Sequence, residues 1–147
     1  MKLKGIVLII YFLIMSSNKS KLNAGSGSHS YQKPDINKEW LVLTNKDQLE
    51  ELINNSFIKP VLIYKHSTRC GLSMVTRKRL EEGWEQIRKK AVLYYLDILA
   101  YREISDMIAF RFEVPHESPQ ILIISEGKVI YNTSHSGIRV NTILKHV

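Results

Sequence analysis

Four consecutive apolar residues, Val61-Leu62-Ile63-Tyr64, follow Pro60 and run into the polar stretch Lys65-His66-Ser67-Thr68-Arg69. A run of this length that does not alternate with polar residues marks a strand covered on both faces. Such a strand needs partners on either side and helices above and below, which directs the chain to an α/β architecture. Helical periodicity starts directly afterwards at Gly71. The loop between strand and helix holds Cys70, the one cysteine in the sequence.

The remaining elements fall into place around this strand. Trp40-Leu41-Val42-Leu43 reads as a first strand, and Thr44 or Asn45 caps a helix through about Ser56 that turns Leu49, Leu52 and Ile53 inward. From Gly71 to about Lys90 one helix is expected, with Leu72, Val75, Leu80, Trp84 and Ile87 as its inner face and Gly83 as a weak point. Ala91 to Leu96 forms a third strand, and a helix follows from about Tyr101 to Phe112 with Ile104, Met107 and Ile108 inward. Gln120 to Ser125 and Lys128 to Thr133 flank Glu126-Gly127, a hairpin turn signal. A last helix starts near Val140. The order β-α-β-α-β-α-β-β-α predicts a mixed central sheet flanked by helices, parallel where helices connect the strands and antiparallel in the hairpin. This order resembles the thioredoxin fold.

The length of 147 residues suits one domain and a tail. Residues 39–147 are read as the domain and residues 16–38, rich in Ser, Gly, Asn and Lys, as a flexible tail. Residues 1–15, with Met1-Lys2-Leu3-Lys4 ahead of an apolar stretch, read as signal-like, or as an upstream extension if translation starts at Met15. The apolar stretch is too short for a comfortable transmembrane span. A start at Met15 implies a cytoplasmic protein; the alternative is export or membrane tethering through residues 5–15. The formal charge is +7, and +5 of it lies in residues 1–38. The domain carries no aromatic-interleaved basic stripe and no zinc spacing, so no nucleic-acid partner and no metal site are expected.

A lone cysteine cannot close an internal disulfide, so any partner sulfur comes from another molecule. Backbone N–H groups at a helix start favour a thiolate, the nucleophilic form. The topology brings three segments to the same end of the sheet: Lys65-His66-Ser67-Thr68-Arg69-Cys70, His116-Glu117-Ser118-Pro119-Gln120 and Thr133-Ser134-His135. His66, His116 and His135 are open to three readings, as structural groups, as tuners of Cys70 or as metal ligands. Ser73 stands where a dithiol motif has its resolving cysteine, and is open to a thiolate hydrogen bond or a first-turn cap. Arg69 and Lys65 are read as favouring the thiolate or an anionic small thiol, or as facing solvent. Asp97 reads as a turn former.

The words Lys-His-Ser-Thr-Arg-Cys at 65–70, His-Glu-Ser-Pro-Gln at 116–120 and Thr-Ser-His at 133–135 resemble the thioredoxin-like monothiol bacilliredoxins of the YtxJ-like type. The resemblance runs from about Trp40 to the C-terminus. It implies Cys70 as the catalytic thiol, a cis peptide at Ser118-Pro119 beside an extended substrate, and removal of bacillithiol from protein mixed disulfides. Bacillithiol is then a co-substrate, no cofactor is bound, and bacillithiolated proteins are the partners. Cys70-Gly71-Leu72-Ser73 also resembles the Cys-Gly-Phe-Ser of monothiol glutaredoxins, which implies glutathione and an iron–sulfur cluster. That family's Gly-Gly-Asp-type element after the last strand is replaced here by Ser134-His135-Ser136-Gly137. A non-enzymatic redox sensor is the third alternative.

Overall fold

The computed structural model describes residues 40–147; the expectations for residues 1–15 and 16–38 lie outside the described residues. Five strands, β1 (Leu41–Val42), β2 (Val61–His66), β3 (Val92–Asp97), β4 (Gln120–Ser125) and β5 (Lys128–Ser134), form one sheet in the order β1-β3-β2-β4-β5. β1 and β2 run parallel to β3, β4 runs antiparallel to β2, and β5 antiparallel to β4. Helix α1 (Lys46–Asn55) joins β1 to β2, α2 (Gly71–Glu82) and α3 (Trp84–Lys90) join β2 to β3, and α4 (Arg102–Phe112) joins β3 to β4. A 3₁₀ turn (His135–Gly137) and the short α5 (Val140–Ile143) complete the described chain.

β2 is the axis of the sheet, and all six of its residues are buried. Alternate side chains serve different faces. Val61 and Ile63 pack with Leu49, Leu52, Ile104, Ile108 and Leu122, whereas Leu62 and Tyr64 pack with Leu80, Trp84, Ile87, Ile121 and Ile143. Removing such a side chain from water contributes roughly 1.5–3 kcal/mol, so neither face is dispensable. Asn45 caps α1, its side chain accepting from Gln48 N–H at 2.9 Å. The β4–β5 turn has Glu126 at φ 51° and Gly127 at φ 75°, the two left-handed residues that a tight hairpin needs.

Three expectations need correction. The expected continuous helix over 71–90 divides at Gly83, where Val140 of α5 packs so closely that a Cβ would overlap its Cγ1. Leu72 and Val75, expected inside, are 43% and 56% exposed. The inner face of α2 is instead Ser73, Thr76 and Leu80, a polar beginning that serves the loop before the helix. β1 is shorter than Trp40–Leu43, although Leu43 N–H still bonds Tyr95 O at 2.8 Å.

The Gly83 contact yields a direct expectation. Gly83→Ala should lower stability by about 1–3 kcal/mol through overpacking, and adding Val140→Ala should recover part of the loss. Urea unfolding should register both as midpoint shifts with unchanged slope.

Candidate functional site

The strand register assembles one end of the sheet. Lys65 lies opposite Gln120, and Gln120 opposite Ser134. The three segments that carry His66, His116 and His135 therefore meet beyond the C-terminal end of β2. Cys70 sits at the start of α2 with extended backbone, half-buried, its N–H bonded to Ser67 O at 3.1 Å. A Cβ added at the neighbouring Gly71 would meet nothing within 4 Å.

The thiol is held below its ordinary pKa. The Ser73 backbone N–H is the largest cause; burial opposes it next, and the Ser73 hydroxyl and Leu72 N–H follow in lowering the pKa. Ser73 itself is fully buried and is fixed by Ser67 N–H, which donates to its oxygen at 3.4 Å. The loop before the helix thus orients the hydroxyl that faces the sulfur. Arg69 is exposed.

Beneath the thiol lies an aromatic floor. Tyr64 is fully buried, and its hydroxyl donates to Ser73 O at 2.8 Å, which ties β2 to the first turn of α2. Burial, then Tyr95 and to a smaller extent Cys70, raises the Tyr64 phenol well above its usual range, so it stays a neutral donor. His66 Nδ1 lies 3.3 Å from the same hydroxyl. Since the single phenol proton goes to Ser73 O, the ring N–H of His66 donates to the Tyr64 oxygen. Burial, reinforced by Arg77, lowers His66 from 6.5 to about 4, with Asp97 acting in the opposite sense. Asp97 also accepts from Leu99 N–H at 2.9 Å in the turn after β3.

The loop between α4 and β4 reaches the same end of the sheet, where Gln120 pairs with Lys65. Its Ser118-Pro119 bond is cis. Pro119 O accepts from His135 N–H at 3.0 Å, and the His135 ring pairs with the Glu117 carboxylate. His116 turns to the other face of the sheet, where its Nδ1 meets Lys65 Nζ at 3.2 Å and Ser105 Oγ at 2.9 Å. Burial, then the charge of Lys65, lowers the His116 pKa. None of the three imidazoles is among the groups that set the Cys70 charge. Among the described residues, no three His, Cys, Asp or Glu side chains are placed to hold a metal ion.

Sequence pattern alone assigns no site role to Tyr64, Ser105 or Glu117. Ser105 carried a signal, a polar residue within the inward face marked by Ile104 and Ile108. Tyr64 shares its β2 face with His66 two residues on, which was the available clue to its place under the thiol.

A mixed sheet of this order, with a lone thiol at a helix start, defines a single-thiol redox protein of the thioredoxin class. One solved structure with a thioredoxin fold is 29% identical, covers 73% of this chain and 92% of its own, and superposes with a TM-score of 0.65. Fasciola hepatica thioredoxin, 21% identical over 72% of this chain and 98% of its own, has a TM-score of 0.59. Malassezia sympodialis thioredoxin, 16% identical over 71% of this chain and 87% of its own, has a TM-score of 0.60. The model of the family Monothiol bacilliredoxin BrxC matches residues 41–143, and the chain belongs to that family. Its function is thiol redox chemistry with thiol-redox partners. No helix of the described residues is long and apolar enough to cross a membrane.

Two outcomes follow from the thiol's surroundings. Ser73→Ala should raise the Cys70 pKa and slow its alkylation at neutral pH, read from the pH dependence of iodoacetamide labelling. His66 binds its proton near pH 4 when folded but near 6.5 when unfolded, so stability should fall as pH drops from 6.5 to 4. His66→Phe should remove that part of the slope in urea midpoints measured across the interval.

Proposed function

We propose that this protein removes bacillithiol from protein mixed disulfides by single-thiol exchange at Cys70. The observation that carries the reading is the composition of the first turn of α2. Cys70 stands there with Ser73 in place of a second thiol, in a chain whose family is the monothiol bacilliredoxins.

The Cys70 thiolate attacks the bacillithiol sulfur of a client mixed disulfide. The client's S–S bond breaks, the client leaves as its thiolate, and a Cys70–bacillithiol disulfide forms. A second bacillithiol thiolate then attacks the sulfur of the bacillithiol carried by Cys70. It releases the Cys70 thiolate and leaves bacillithiol disulfide, so one free bacillithiol is consumed for each client thiol released, and one disulfide replaces another. Each attack runs in line with the breaking bond and is fastest when the leaving thiol has a low pKa.

The lowered Cys70 pKa favours it both as attacking thiolate and as leaving group. Cys70 is partly exposed and Gly71 beside it faces open space, which gives a client access to this end of the sheet. Bacillithiol is then the co-substrate and bacillithiolated proteins are the partners. A reducing compartment, the cytoplasm, is where a lone thiol stays available for this chemistry.

Incubating the reduced protein with a bacillithiol-capped client and following both masses tests the reading. The client should lose one bacillithiol and Cys70 should gain it, while Cys70→Ser should transfer nothing. Ser73→Cys should shed the captured bacillithiol without added thiol by closing a disulfide between positions 70 and 73. Absence of transfer to the native protein would overturn the proposal.

A further inference from the structure

Lys65 is the misfit of β2. It is fully buried in a strand otherwise made of apolar and aromatic side chains and His66, and the hydrogen-bond partner of its ammonium is the neutral imidazole of His116. The carboxylates of Asp106 and Glu117 act on it only through space, with Arg102 opposing them, and burial brings its pKa down to about 8. Burying an ammonium against one neutral acceptor is costly, and an apolar side chain of similar volume is often neutral or better for stability. Stability therefore does not explain a lysine at this position.

Geometry assigns it a different task. An ammonium only donates, so His116 Nδ1 accepts, and the Ser105 hydroxyl donates to the same atom. The ring is thereby held with its proton on Nε2. The backbone of Lys65 lies opposite Gln120 in the β2–β4 ladder. The Gln120 amide in turn donates to Pro115 O at 2.9 Å and accepts from Glu117 N–H at 3.4 Å. The main chain of Lys65 thus secures the exit of the 115–120 loop while its side chain secures the entrance. Between these two anchors lies Ser118-Pro119.

We propose that Lys65 is a positioning residue that, through His116, fixes the 115–120 loop against which a client's disulfide-bearing segment lies during attack by Cys70. The client half of this statement rests on the function proposed above, and the loop half does not. Lys65 shares a strand face with Val61 and Ile63, opposite Tyr64 and His66, and is not among the groups acting on the thiol. It governs docking of the client and leaves the thiolate alone.

The test compares the native protein with Lys65→Met, His116→Asn and the double variant. One client protein, capped with bacillithiol or with glutathione, serves as substrate. Lys65→Met should unfold at a urea midpoint no lower than the native protein and keep the native pH profile of Cys70 alkylation. Its kcat/KM on the client should fall at least about tenfold, mainly through KM. The double variant should be no worse than either single one, since both break the same contact. Nitrogen NMR should find His116 Nδ1 unprotonated at neutral pH in the native protein, with its signal and the Glu117 and Gln120 amide signals shifted in Lys65→Met.

Unchanged kcat/KM together with unchanged loop signals would overturn the proposal, as would a displaced Cys70 titration in Lys65→Met. Exchange on the glutathione-capped client alone would refute the bacillithiol assignment and still read the Lys65 effect. With neither client exchanged by the native protein, client docking fails and the NMR signals decide the loop assignment.

Discussion

The organising constraint of this protein is the burial of β2 on both faces and along both edges. Parallel pairing with β3 covers all six of its positions, and antiparallel pairing with β4 covers Val61 to Lys65. Its alternation then does two jobs at once. Tyr64 and His66 go under the helix that bears Cys70, whereas Lys65 goes under the loop that bears Ser118-Pro119. A slip of one residue in the strand would exchange these faces. It would separate the thiol from its floor and the loop from its anchor together.

Thiol activation is correspondingly local. The sulfur is governed by the first turn of its own helix, through Ser73 and Leu72, with no charged side chain among the causes. Tyr64 holds that turn in place from below by donating to Ser73 O. The buried Ser73 hydroxyl occupies the place where a second thiol would make a dithiol motif, and it stabilises the sulfur without being able to resolve it. Serine at this position therefore adds its hydroxyl to the backbone groups that lower the thiol's pKa and leaves no second sulfur in the first turn.

Much of this was legible in the sequence because the signals were local. The unbroken run at 61–64, Asn45 ahead of the Leu49-Leu52-Ile53 stripe, and Glu126-Gly127 between two apolar segments each need only a few neighbouring residues to act. The inward face of α2 was not legible, since Ser73 and Thr76 are buried for hydrogen bonding while Leu72 and Val75 stay exposed, which inverts the apolar pattern. The break at Gly83 depends on Val140, a residue 57 positions further along the chain. Lys65 shows the same limit. A lysine at a strand end normally reaches solvent, and only the fold shows that the path is closed by His116 and Ser105.

The account turns on one thiol having no partner inside the chain. Its most direct test is the stoichiometry of client release with free bacillithiol withheld and then supplied. Release of one client thiol per Cys70, followed by a halt that added bacillithiol relieves, is the result the account predicts. Continued release without any added thiol, or a halt that bacillithiol does not relieve, would contradict it.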